Sequence, residues 1–198
     1  MADTVLARKP RAAMDGLAAM AWDRLNELTG EPAFVEAFAV APELLEFAMV
    51  AFYQRLFFEG RVPERFKQLA RLCLSLAHGC RTCNLQNVPG ARAAGFTDAQ
   101  LAAIEGDRSL FSDAERAVLE LADRMLLTNP QGRLDAGLHA RLKAHFDDAQ
   151  ILELAMVMGV IAGLAKMSFV LDLIEREAAC PFAPPAGQDV APAAPAAA

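Results

Sequence analysis

The sequence predicts an all-α domain. No stretch sustains the apolar/polar alternation of a half-buried strand, and β-branched runs are few. The composition instead favours Ala, Leu, Glu, Arg and Met, which are strong helix formers. The helix boundaries are also marked: Ser, Thr or Asp stands three residues before Glu or Gln at several starts, and Gly stands at several stops.

In chain order, a first helix is predicted in "RAAMDGLAAMAWDRLNELTG", ending at Gly30 with Pro32 just beyond. The segment "APELLEFAMVAFYQRLFFEG" begins with Pro42 in a first-turn position and stops at Gly60; being apolar nearly all round, it is expected to be deeply buried. In "VPERFKQLARLCLSLAHG", Phe66, Leu69, Ala70, Cys73, Leu76 and Ala77 recur at helical spacing, which puts Cys73 on a core face before the stop at Gly79. A further helix is expected to run to about Gly95. Capping boxes at Thr97/Gln100, Ser112/Glu115 and Asp147/Gln150 open three more, the second with Val118, Leu121, Ala122 and Met125 as its apolar face. Between them Asn129, Pro130 and Gly132 form a turn, followed by a helix carrying Leu138, Leu142 and Phe146 at four-residue steps.

The last helix, "AQILELAMVMGVIAGLAKMSFVLDLI", is long enough to span a bilayer, but Glu153, Lys166 and Asp172 interrupt it. It reads as a helix buried within a soluble protein or against another subunit, with Gly159 and Gly163 permitting close approach of a neighbour. The organisation expected is an N-terminal helical extension over residues 1–31, a helical domain over 32–178 and a disordered Pro/Ala-rich tail over 179–198.

At 198 residues the chain fits one domain that needs no disulfide staples. With a net charge of −6 it offers no electrostatic support for a general nucleic-acid or anionic-membrane role. The opening "MADTVLARKPRAAMDG" lacks the apolar core of a signal peptide, so a cytoplasmic location is expected. In a reducing compartment a close pair of cysteines points to catalysis or metal binding.

That pair lies in "AHGCRTCNLQNVPG", where Cys80 and Cys83 are three apart. If Gly79 ends one helix and the cysteines occupy the first turn of the next, the sulfurs lie within reach of a disulfide. The helix N-terminus then stabilises a thiolate, and Arg81 adds a nearby positive charge. Three readings stay open on spacing alone: a redox dithiol, a zinc clip and two small core residues. A zinc clip would recruit Cys73 and His78, yet Cys73 belongs to the core stripe and no second Cys/His pair has finger spacing. His78 has two readings of its own, a bond to a terminal carbonyl of its helix or a position beside a sulfur that it tunes. His139 and His145, six apart, point to different faces and read as surface residues; no metal site or cofactor is called for.

The order of these segments resembles the carboxymuconolactone decarboxylase and alkylhydroperoxidase D-like superfamily. The matching text is "VPERFKQLARLCLSLAHGCRTCNLQNVPGARAAGFTDAQL", then "FSDAERAVLELADRM", then "FDDAQILELAMVMGVIAGLAK", roughly residues 32 to 172. The resemblance implies a compact helical fold assembled into homo-oligomers, often trimers or hexamers. It also implies a dithiol in which Cys83 attacks and Cys80 resolves, reducing a peroxide or disulfide with electrons from a partner redox protein.

The family's proton relay consists of a glutamate twelve residues before the first cysteine and a histidine four after the second. Here those positions hold Gln68 and Asn87, neither of which can pass on a proton near neutral pH. Gln68 and Asn87 are expected to orient a water or the substrate. Pro89, six residues after Cys83, is expected to disrupt the helix. Two further functions remain: a non-catalytic oligomeric redox sensor or binding module, which the missing relay favours, and lactone decarboxylation. The family's decarboxylases lean on a histidine and lack the dithiol, which argues against the latter.

Overall fold

The computed structural model describes residues 6–182, and within them the chain is helical with no strand. Nine α-helices follow in order: α1 (Gly16–Thr29), α2 (Ala33–Phe38), α3 (Pro42–Glu46), α4 (Glu64–Ala77), α5 (Arg81–Ala93), α6 (Asp98–Ala103), α7 (Asp113–Arg124), α8 (Ala136–Lys143) and α9 (Asp148–Val170).

The three capping boxes form as the sequence predicts. Thr97, Ser112 and Asp147 each accept the backbone N–H three residues on, while Gln100, Glu115 and Gln150 reach back to the cap. Each box satisfies two donors that the first helical turn would otherwise leave unpaired. Gly30 closes α1 in the left-handed conformation. The helix begins later than the sequence suggests, however: Arg11–Ala13 form a separate 3₁₀ turn, and the chain extends through Met14, whose side chain is buried, before α1 starts at Gly16.

Helix α4 is the centre of the fold, packing on α5, α7 and α9. Every residue from Lys67 to Ser75 is buried, so α4 is enclosed on all sides rather than along one stripe. Leu69, Leu72, Cys73 and Leu74 meet Val118, Leu119 and Leu121 of α7, Leu138 and Leu142 of α8, and Leu154 and Met158 of α9 in one continuous core. Burial of this kind contributes on the order of 1.5–3 kcal/mol per large side chain.

Two polar residues in this region are tied together. Lys67 and Glu153 are both buried, with Nζ 2.7 Å from Oε1. Lys67 also donates to the Leu56 carbonyl at 2.7 Å, and Glu153 accepts the Arg61 and Val62 amides at 2.9 and 3.0 Å. This network pins α9, α4 and the loop before α4 to one another, and it explains a carboxylate inside so apolar a helix.

Three expectations are corrected here. The segment after Pro42 is α-helical only to Glu46; it then winds as a π-helix over Phe47–Phe58. It is not deeply buried: Leu45, Ala48, Phe52 and Phe57 face inward, whereas Leu44, Phe47 and Phe58 are half exposed or more. Pro89 does not break α5, which continues to Ala93. The bond that proline removes would have gone to Leu85, and both residues lie on the exposed face, where water can satisfy the carbonyl.

Helix α9 is the one helix among the described residues long and apolar enough to cross a membrane by length and composition. One of its faces carries Leu154, Val157 and Met158 into the core, while Leu152, Met156 and Val170 are exposed. A Cβ at Gly159 would stand 3.7 Å from the Met125 side chain, but nothing lies within 4 Å of one at Gly163. After α9, Cys180 is buried and Phe182 packs on Phe169, so the first residues of the expected tail are held against the fold; residues 183–198 lie outside those described.

The Lys67→Met variant should unfold about 3–5 kcal/mol more easily, because it leaves Glu153 buried and uncompensated; urea denaturation read by circular dichroism measures this. Burial pushes the Glu153 carboxyl up, but the Lys67, Val62 and Arg61 hydrogen bonds outweigh it and hold the group below its ordinary value of 4.5. The stability it contributes is therefore complete above that value and should be lost as the pH falls through the lower folded one.

Candidate functional site

The dithiol sits where the chain reverses between α4 and α5. Gly79 takes φ +62°, and a Cβ there would come within 2.6 Å of the Cys180 Cα, so glycine is required both by the backbone and by its neighbour. The reversal makes Cys80 the N-cap of α5 and Cys83 its third residue. The two are joined as a disulfide with Cα atoms 5.2 Å apart, and the Cys83 amide donates to the Cys80 sulfur at 3.1 Å.

A strap from the C-terminal side covers this junction. The Arg81 amide donates to the Glu175 carbonyl at 2.9 Å and the Glu177 amide to the Gly79 carbonyl at 2.8 Å. The Glu175 amide donates to Thr82 Oγ1 at 2.8 Å, and Thr82 donates in turn to Glu31. Cys80 is consequently fully buried, packed with Ala165, Phe169, Ile174 and Cys180, whereas Cys83 is only half buried. Access and charge stabilisation thus fall on different sulfurs: Cys83 is the one a molecule can reach, and Cys80 the one that a helix amide would stabilise as a thiolate.

Cys83 opens on a pocket of about 630 Å³. Leu25 and Leu28 of α1, Phe34, Ile161 and Leu164 supply apolar wall, and Gln68, Asn87 and His78 line it as well. The structure therefore gathers all five sequence-predicted site residues around one cavity, in differing circumstances.

Gln68 is buried with both amide groups engaged: Nε2 donates to Glu64 at 2.8 Å and Oε1 accepts from Arg71 at 2.7 Å. Asn87, equally buried, donates to Ser75 Oγ at 3.0 Å and leaves Oδ1 without a partner among the described residues. Asn87 alone of the pair keeps a free acceptor for a bound molecule.

His78 accepts the Leu127 amide on Nε2 at 3.1 Å and is not bonded to a carbonyl of its own helix. Burial lowers it to about 4, so the ring is neutral at physiological pH and cannot stabilise a thiolate by charge. Arg81 is likewise unavailable as a free charge near sulfur: its guanidinium is exposed and paired with Glu31. Cys73 is buried beside Asp123, which together with burial pushes its thiol up to about 12. His139 and His145 are exposed, and no three His, Cys, Asp or Glu side chains converge as a metal cluster among the described residues.

Sequence reading missed Arg71, Ser75 and Glu31. Arg71 was detectable in principle, since it stands three residues after Gln68 and so shares its face of α4.

Residues 42–124, which include α4, the dithiol and α7, match the sequence model of the carboxymuconolactone decarboxylase family. Among curated proteins, the uncharacterized YnjA of Escherichia coli K12 is 32% identical over 108 residues, 54% of this chain and 56% of its own length. The uncharacterized YdfG of Bacillus subtilis is 22% identical over 69% of this chain and 92% of its own. The chain thus spans little more than half the length of YnjA and nearly all of YdfG.

Among solved structures, a protein of unknown function from Agrobacterium tumefaciens, with a suggested role as the antioxidant defence protein AhpD, superposes with a TM-score of 0.59. Its identity is 23%, over 68% of this chain and 92% of that one. The debrominase Bmp8, without ligand, superposes with a TM-score of 0.68 at 17% identity, covering 90% and 95% of the two chains. A cysteine-to-alanine variant of Bmp8 in complex with 2,3,4-tribromopyrrole gives the same score over 89% and 94%. At these identities the structures share the fold alone. Residues 42–124 are thus similar to the carboxymuconolactone decarboxylase family, and the helical fold as a whole is shared with these solved structures.

When the reduced protein is pulsed with iodoacetamide and digested for mass spectrometry, Cys83 should be alkylated first. Cys73 and Cys180, both buried, should react only after denaturation.

Proposed function

We propose that this protein is a thiol-dependent oxidoreductase that reduces a peroxide or a small disulfide through Cys83 and Cys80. The observation that supports this best is the half-buried Cys83 sulfur, opening on an apolar pocket while its partner sulfur is buried as the cap of the same helix.

With a hydroperoxide, the Cys83 thiolate attacks the terminal oxygen and the O–O bond breaks. The alkoxide takes a proton and leaves as an alcohol, and Cys83 becomes a sulfenic acid. Cys80, as a thiolate held by the Cys83 amide, then attacks that sulfur, releasing water and forming the disulfide seen here. With a disulfide substrate, Cys83 displaces one thiolate and Cys80 the second. Two electrons from a dithiol redox protein return the pair to the thiol state.

In this mechanism Gln68 is a positioning residue that holds Arg71, and Asn87 offers Oδ1 to a substrate O–H. No side chain at the Cys83 end supplies a general base; the terminal amide serves Cys80, and Cys83, the third residue of α5, has only the weaker field of the helix terminus. The missing base also supports a second reading, a non-catalytic redox sensor or binding module that cycles slowly between the same two states. The exposed Leu152, Met156 and Val170 of α9 support a homo-oligomer, a trimer or hexamer by family likeness.

Stopped-flow measurement of peroxide-driven disulfide formation should show a rate well above that of free cysteine, lost by at least about a hundredfold in Cys83→Ser. A rate equal to that of free cysteine would favour the sensor reading. The rate should rise with pH until the thiol is ionised and show no inflection near 6.5, since His78 is already neutral there. Sedimentation velocity should find an assembly larger than the monomer that Leu152→Glu with Met156→Glu dissociates.

A further inference from the structure

We infer that the molecule taken by this pocket is an apolar organic anion, its negative charge held by Arg71 and its electrophilic end presented to Cys83. The inference rests on the oxidoreductase reading only for the second clause; the anion site stands on its own observations.

Arg71 is a buried cation without a counter-ion. Only 7% of the residue is exposed, and no carboxylate among the described residues lies within ion-pair distance. Nη2 donates to the uncharged Gln68 Oε1, the guanidinium also meets the Tyr53 hydroxyl, and Nε is buried with no partner. The Phe57 and Tyr53 rings stand 5.0 and 6.0 Å from the guanidinium carbon and supply cation–π attraction. Glu64 is held one step away through Gln68 Nε2 and is itself exposed, so solvent screens it. Burial accordingly pulls the guanidinium below its ordinary value.

Lys67, four residues earlier on α4, shows what the fold does with a buried cation that is purely structural. It has a carboxylate at 2.7 Å and a backbone carbonyl as well. A buried charge left unpaired costs several kcal/mol, so Arg71 in its present state is held for a ligand that completes it.

The location fixes the ligand's shape. A Cβ at Gly90 would meet Arg71 Nη2 and Gln68 Oε1 at 2.8 Å each, so the guanidinium lies directly against that position of α5. Gly90 is seven residues beyond Cys83, roughly 10 Å along the helix. Cys83, Asn87 and Gly90 fall at i, i+4 and i+7, on one face, and all three line the pocket with Arg71. The cavity therefore has a cation at one end, the accessible sulfur at the other, apolar wall between them and the free Asn87 Oδ1 along the way. A carboxylate on an aliphatic or aromatic body of about that length matches it.

The test uses octanoate and 1-octanol, which differ only in the charged end, with the full-length oxidised protein in a calorimeter. Octanoate should bind at least about tenfold more tightly than octanol. Arg71→Met should abolish that preference, and Arg71→Lys should keep part of it. Equal affinity of the two probes for the wild-type chain overturns the inference, as does an undiminished preference in a folded Arg71→Met; the wild-type comparison decides even if the variant does not fold. With the reduced protein, an ω-hydroperoxy carboxylic acid should be preferred over its methyl ester through a lower KM, and Arg71→Met should raise KM for the acid only. If octanoate binding depends on Arg71 while neither hydroperoxide is reduced, the anion site stands and the oxidoreductase reading fails.

Discussion

The chain reverses at Gly79, and the placement of both sulfurs follows from how that reversal is held. Three constraints converge on it: a left-handed backbone, the Cys180 backbone pressed against the missing side chain, and the Arg81 and Glu177 amides bonding across to the strap. With α4 locked in the core on all sides, α5 can start at one position only, and that position makes Cys80 its cap. Any shift of the start by one residue would turn Cys83 about 100° around the helix, away from the pocket.

Under the proposed function this arrangement divides the work between the sulfurs. A buried cap sulfur is poorly placed to meet a substrate but well placed to be a stabilised thiolate, which suits the resolving step. The half-buried sulfur at the third position meets the pocket and lacks a titrating neighbour, since His78 is neutral and Arg81 is engaged by Glu31. At the two positions where the resemblance implies a glutamate and a histidine, Gln68 and Asn87 keep hydrogen bonding at the site but offer no proton transfer. What the pocket gains instead is fixed charge: Gln68 presents its oxygen to Arg71, where a glutamate would have neutralised it.

Much of the fold was legible because its signals are local. The caps at Thr97, Ser112 and Asp147, the stop at Gly30 and the break at Gly79 each depend on a few neighbouring residues. The failures share a different cause. The apolar girth of Phe47–Phe58 does not reveal whether another element of the same chain covers it, and the tolerance of Pro89 depends on which face Leu85 turns to solvent. At the site, the dithiol and its flanking amides could be found by spacing and resemblance. Arg81 was misjudged because its partner, Glu31, lies fifty residues away in sequence. Arg71 was passed over because a charged helical residue ordinarily reads as a solvated face, and only the packing of α4 shows that it has neither solvent nor a carboxylate.

The proposed function makes the start of α5, with no side-chain base, the source of the pair's reactivity. Titrating the reduced protein by thiolate ultraviolet absorbance, with Cys80→Ser and Cys83→Ser as references, measures this directly. A first ionisation below the free-thiol value of about 8.5 is expected, lost in Cys80→Ser and insensitive to His78→Gln. A pair that titrates at or above the free-thiol value, or one whose titration moves upward in His78→Gln, would contradict it.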